Sequence, residues 1–265
     1  MFDWLEKRKV NKILEEPFKD EWRDFLDEHM VHWKYLPEEK RIHLEHLTQV
    51  FMRIKNWEGC NGLEMTEEIK LLISAQACLL ILNLPHTLYR RVESILVYPS
   101  TIRPKSQRRS FFSDQQIMPE RSDPVIGQAH MRGPVVLVWD SVKKSARHPG
   151  RGHNVTYHEF AHKLDMLDGR ADGTPPLYSK AEYKEWIEVF SKNYFAMKEK
   201  LEKGRKTFLN PYGATNEAEF FAVATEYFFD KPRQMQESRP DLYAVLSAFY
   251  KQDPAKREEL YKASH

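Results

Sequence analysis

The sequence predicts an α+β fold, mostly helical with a small mixed sheet. Three observations lead there. Apolar residues recur at three- and four-residue spacing through residues 1–90, and again from residue 154 almost to the end. Between those stretches the period changes, at two short runs rich in β-branched residues. The chain has 265 residues, 41% hydrophobic and 30% charged, enough to bury a core and too apolar for wholesale disorder.

Residues 21–33 and 37–57 carry the first helical stripes, with Pro37 suited to a first helical turn. Thr66 followed by Glu67 and Glu68 reads as an N-cap with an acidic first turn, opening an apolar helix to about Leu84. The uncharged stretch 71–89 contains Ser74, Gln76, Asn83, Pro85 and His86. It is too short and too polar for a bilayer and fits a buried core helix, so no membrane association is expected. Residues 92–98, ended by Pro99, form the first strand signal, and Gly133-Pro134 introduces the second at residues 135–139. The intervening residues 100–123, from Ser100 to Asp123, are rich in Pro, Ser, Arg and Gln and read as a surface loop. Arg103, Lys105, Arg108 and Arg109 beside Phe111 and Phe112 make a basic-aromatic patch there, but the net charge is only +2, so a solvated loop is preferred to direct nucleic-acid contact. After a basic turn at residues 143–152, helices are expected over residues 154–167, 179–202, 216–230 and 241–250. The division expected is a helical region, 1–90, packed on a second region, 91–265, as one compact unit. Two cysteines, Cys60 and Cys78, can form neither a disulfide framework nor a Cys-rich zinc site. The first residues carry acids where a signal peptide needs an apolar stretch, which points to a cytoplasmic protein.

The pentapeptide His158-Glu159-Phe160-Ala161-His162 dominates the chemistry. Four residues advance a helix by about one turn, so both imidazoles can face one metal ion. Glu159 lies too close to His158 to be the natural third ligand and is placed to accept a proton from water, whose pKa zinc lowers toward ~7. Chance alone produces the pattern in roughly 4% of shuffled chains, so context decides. Asn154 can cap the helix, Val155, Phe160, Ala161, Leu164 and Leu167 give it an apolar face, and Asp168-Gly169 ends it.

Catalytic zinc usually takes three protein ligands. The extended metalloprotease pattern would need Gly at 165 and His at 168, where this chain has Asp165 and Asp168. Without that glycine Asp168 is a poor ligand. Asp165, seven residues from His158, suits a supporting position behind the ligands as well as it suits an exposed helix end. His148 and His153 are expected in solvent. The favoured carboxylate is Glu219, on a stripe with Ala222, Val223 and Glu226 in an unusually apolar helix. A buried acid needs a partner, and a metal supplies one. Glu226 is the weaker ligand and could instead bridge to a ligand histidine. Tyr212, seven residues before Glu219, sits where a phenol could reach an oxyanion, though alone it would more often be a packing residue.

These segments resemble the Mlc titration factor A family of bacterial zinc-dependent peptidases. The resemblance runs through Val97-Tyr98-Pro99, Gly133-Pro134-Val135-Val136-Leu137, the motif with Lys163-Leu164-Asp165, and residues 212–229. It is tight in the second half and loose in residues 1–90 and the Arg-rich loop. It implies a zincin-like catalytic core similar to lethal-factor-type metalloproteases, within residues 91–265. It also implies one zinc ion per chain held by His158, His162 and Glu219, with Glu159 and Tyr212 catalytic. The activity implied is aminopeptidase-like hydrolysis of short peptides. The alternative implied is a binding protein that sequesters a transcriptional repressor, with peptidase activity weak or secondary.

Overall fold

The computed structural model describes residues 2–100 and 133–264. Helices α1 (Phe2–Leu14), α2 (Asp20–His29), α3 (Val31–Lys34) and α4 (Glu38–Ile54) come first. The stripe expected over residues 21–33 is interrupted at Met30, which turns extended (φ −129°, ψ 97°) while its side chain is fully buried. Strand β1 (Asn56–Gly59) follows, then α5 (Glu67–Leu80), capped by Thr66, whose hydroxyl accepts from Ile69 N–H at 3.3 Å. Helix α5 is buried almost all round, and no helix among the described residues is long and apolar enough to cross a membrane.

Strands β2 (Ser94–Tyr98) and β3 (Val135–Val138) complete a sheet of order β1-β2-β3. Asn56 pairs with Ser94 and Ile95 with Val135, and both ladders are parallel. The mixed sheet expected from the sequence is therefore corrected among the described residues. β1 itself was hidden, because Asn56-Trp57-Glu58-Gly59 has no apolar alternation. Its strand geometry comes from pairing with β2, with Asn56 N–H donating to Glu93 O and Cys60 N–H to Val97 O. Parallel neighbours need a crossover connection, and α5 lies in the β1–β2 crossover. Ile95, Val97, Val135 and Leu137 are fully buried. The Arg-rich segment read as a surface loop lies, from residue 101 on, outside the described residues.

Trp139 leaves the strand and begins α6 (Trp139–Arg147), so part of the expected basic turn is helix. A short 3-10 turn, Pro149–Arg151, leads to Gly152, whose φ is +65° and where a Cβ would meet the Tyr227 ring at 2.7 Å. Only glycine fits there. Helix α7 (Val155–Asp165) carries the pentapeptide and packs along α9 (Glu217–Asp230), after α8 (Lys180–Glu202) and a 3-10 turn at Pro211–Ala214. Ala161 and Ala222 are both fully buried in this region. Helices α10 (Pro232–Ser238), α11 (Pro240–Tyr250) and α12 (Pro254–Ser264) close the chain. One buried apolar cluster runs from Phe18 to Ala255 and includes residues of β2 and β3, while Trp57 of β1 is partly buried and packs against it.

Candidate metal centre

Each element of the site is fixed locally before it meets the others. Asn154 Oδ1 accepts from Tyr157 N–H at 3.1 Å and starts α7, as its position in the sequence implied. Asn216 Oδ1 accepts from Glu219 N–H at 2.9 Å and starts α9, which sets Glu219 in the first turn. One turn apart on α7, His158 and His162 have their Nε2 atoms 3.2 Å apart and their rings at 81°. Across the helix pair, Glu219 Oε2 lies 2.9 Å from His158 Nε2 and 3.3 Å from His162 Nε2. A tetrahedral ion with bonds near 2.05 Å spaces its ligand atoms about 3.3 Å apart. The three edges of this triangle fit that size.

Proton accounting says what the triangle is built around. Glu226 Oε1 accepts from His158 Nδ1 at 2.7 Å, so the proton of a neutral His158 ring sits on Nδ1 and its Nε2 lone pair faces Glu219 Oε2. Glu219 Oε2 is itself buried with no hydrogen-bond donor. Two imidazole nitrogens and a carboxylate oxygen converge on one point that requires positive charge. Without a metal, a proton takes that place. Burial pushes the His158 imidazole down, but Glu219 and Glu226 outweigh it and lift it to about 10. Burial also opposes the charge on Glu219, yet the two imidazoles hold its carboxylate well below the usual range. A His, His, Glu donor set suits zinc, so the residues fit the ion that the motif implies.

Of the sequence candidates, His158, His162 and Glu219 are brought together, and they are the one group among the described residues that could hold a metal ion. Glu159 is buried on α7 beside them, and its charge helps raise His158. Tyr212 stands in the 3-10 turn, its backbone N–H held by Asn210 Oδ1 at 3.0 Å. Its ring centroid is 5.9 Å from that of His158, and 47% of the residue is exposed. Glu226, 2% exposed, takes the bridging position beside His158: its other oxygen accepts from Asn154 N–H at 2.6 Å and lies 3.3 Å from the exposed His153. Asp168 is exposed and accepts from Arg170 N–H, away from the triangle. Asp165 is buried, and its Oδ2 accepts from Gly173 N–H rather than from a histidine.

Sequence reasoning missed Gln76, whose Oε1 accepts from Asn154 Nδ2 at 3.0 Å and ties α5 to the start of α7. The signal was there: a polar residue midway along an apolar helix needs a partner. It also missed His32, whose Nδ1 meets the Tyr157 hydroxyl at 3.1 Å, one residue from His158.

Residues 2–251 match the family described as glucose-regulated metallo-peptidase M90. The chain belongs to this family. An uncharacterised protein of Synechocystis sp., slr2042, is 37% identical over 254 residues, covering 95% of this chain and 90% of that protein. Mlc titration factor A of Escherichia fergusonii is 30% identical over 253 residues, or 93% of this chain and 92% of that protein. That of Serratia proteamaculans is 32% identical over 213 residues, 77% of each. The similarity to M90 metallo-peptidases thus includes the N-terminal helices, where the resemblance read from the sequence was loose. Membership in a metallo-peptidase family implies a metal ion, and the triangle on α7 and α9 is where this M90 chain could hold it.

Proposed function

We propose that the chain is a zinc-dependent metallopeptidase with a zincin-like core, hydrolysing short peptides in an aminopeptidase-like manner. The observation that carries this reading is the acceptor triangle of His158, His162 and Glu219, with Glu159 buried next to His158 in the chain on α7. Those three side chains would hold one zinc ion per chain. Zinc bound there would polarise the scissile carbonyl and bring the pKa of a water toward ~7. Glu159 takes the proton of the attacking water and returns it to the leaving amine. Tyr212 donates its phenol proton in a hydrogen bond to the developing oxyanion. β3, an outer strand among the described residues, offers an extended peptide its backbone by strand addition. Glu226 keeps the His158 proton on Nδ1 throughout. Residues 91–265 are the peptidase region in this reading and residues 1–90 a helical region packed on it. The single buried cluster supports treating them as one compact unit.

The test is zinc content and peptide hydrolysis of wild type beside Glu159→Gln. The amide keeps shape, so zinc should stay, while turnover falls by at least ~100-fold, the scale of lost general-base help. Hydrolysis at the wild-type rate would remove Glu159 from the mechanism.

A second reading has one specific support, the printed name of the relatives, Mlc titration factor A. It makes this chain a protein that sequesters a transcriptional repressor, with peptide hydrolysis secondary. Fully zinc-loaded protein that cleaves nothing in a peptide library, yet captures a repressor, would favour it.

A further inference from the structure

The two motif histidines are not equally supported. His158 Nδ1 has Glu226 at 2.7 Å, whereas His162 Nδ1 is buried and has no hydrogen-bond partner among the described residues. A metal-bound imidazole almost always donates its second N–H to a carboxylate, a carbonyl or a water. Three residues further along α7, Asp165 is 0% exposed, and its Oδ1 is likewise buried without a partner. Residues at i and i+3 lie on one side of a helix, with Cβ atoms about 5–6 Å apart. A donor and an acceptor, both stripped of solvent and one turn apart, are thus left open on the same side of the metal helix. They are not bonded to each other directly, and one water can join two such groups at little cost.

Asp165 has a second attachment. Its Oδ2 accepts from Gly173 N–H at 3.0 Å, and Gly173 O accepts from the Trp186 indole at 3.0 Å. Gly173 has φ +76°, and a Cβ there would meet Glu217 O at 2.4 Å. Asp165 therefore also holds the loop that abuts the start of α9, two residues before Glu219.

We propose that Asp165 is the positioning residue for His162, joined to its Nδ1 through one bridging water and braced on its other oxygen by Gly173. The inference rests on the metal-site reading above. In it, Glu226 and Asp165 divide the support of the two histidines between them.

The experiment measures zinc affinity, melting temperature and the His162 Nδ1 proton for wild type, Asp165→Asn and His162→Ala. Asp165→Asn keeps an acceptor for Gly173 and removes a buried carboxylate that has no counter-ion among the described residues. Its melting temperature without metal should equal or exceed wild type, while its zinc Kd weakens by about 10- to 100-fold. A residue that only anchored the loop would not separate the two readouts. In zinc-loaded wild type, the Nδ1 proton of His162 should exchange slowly and show cross-relaxation with a long-lived internal water. That measurement needs no variant. Zinc Kd in Asp165→Asn within twofold of wild type, or no such water contact, overturns the assignment when His162→Ala has lost zinc. Zinc retained by His162→Ala instead overturns the metal site itself, and the inference with it.

Discussion

At the scale of single residues, the site depends on which atoms carry protons. Glu226 matters because it decides that His158 presents Nε2, not Nδ1, to the centre of the triangle. Glu226→Gln can still accept through its amide oxygen but no longer carries charge. We expect zinc content after dialysis to survive while the zinc Kd weakens about 10- to 100-fold, as measured by competition with a chelating dye. His162→Ala and Glu219→Ala should lose zinc on dialysis. Full retention in Glu219→Ala would move the third ligand elsewhere. In the proposed mechanism Tyr212 acts on the reaction rather than on the metal. Tyr212→Phe should lower kcat by about 10- to 1000-fold with little change in KM or zinc content, the pattern of a donor felt mainly in the transition state. Steady-state kinetics on one peptide, with metal analysis of the same sample, checks this. His158, Glu159 and His162 stood out by their spacing alone, whereas Glu219 and Tyr212 became firm candidates only through the family resemblance. The supporting residues were less legible. Gln76 and His32 meet α7 only through tertiary packing, and nothing in their own neighbourhoods names the partner.

At the scale of elements, the helices were readable where a cap and an apolar stripe agreed. Thr66, Asn154, Ser179 and Asn216 all accept from the backbone N–H three residues on, and the first two were read as caps from the sequence. β1 and α6 were not readable, because the first has its geometry from β2 and the second begins inside a strand-like run at Trp139. The short helix α3 earns notice for His32, which joins three elements: Tyr157 of α7 at Nδ1, and Phe229 O of α9 at Nε2, 2.9 Å away. Burial, only partly offset by the Phe229 carbonyl, pushes this imidazole down to about 4. The unfolded chain protonates it near 6.5, so between pH 6.5 and 4 the unfolded state holds the extra proton. Stability from this group is present above pH 6.5 and is lost as pH falls through that window, by about 3 kcal/mol in all. Asp165 has the opposite sign, since burial raises it to about 7 and its ionisation costs stability as pH rises from its unfolded value. The clean measurement is therefore a difference. Urea midpoints of wild type and His32→Gln should converge as pH drops from 7 toward 4, and parallel pH profiles would exclude His32 as the titrating group.

At the scale of the whole molecule, the α+β class was legible from the change of period between residues 90 and 154, but the direction of the strands was not. Apolar runs of four or five residues look alike in parallel and antiparallel sheets, and only the register of Asn56 on Ser94 and Ile95 on Val135 decides. A metal held by the triangle would act on the whole molecule, because His158 and His162 stand on α7 and Glu219 on α9, separated by a long stretch of chain. A ligand that binds only the folded state adds RT ln(1 + [L]/Kd), about 2.7 kcal/mol at a hundredfold excess over Kd. Stripping zinc with a chelator should lower the melting temperature in calorimetry, and added zinc should restore it where the hard, oxygen-seeking ions magnesium and calcium do not. An unchanged melting temperature would mean that the triangle holds nothing of structural weight. One contact sets the order in which all this can happen. The backbone N–H of Asn154 and the ring of His158 both find their acceptor in Glu226, 72 and 68 residues later in the chain. Until α9 has been made and has docked, the start of α7 has an unanswered donor and a histidine free to turn. During synthesis, then, the pentapeptide emerges long before it is a site, and a half-made chain carries the motif without the grip.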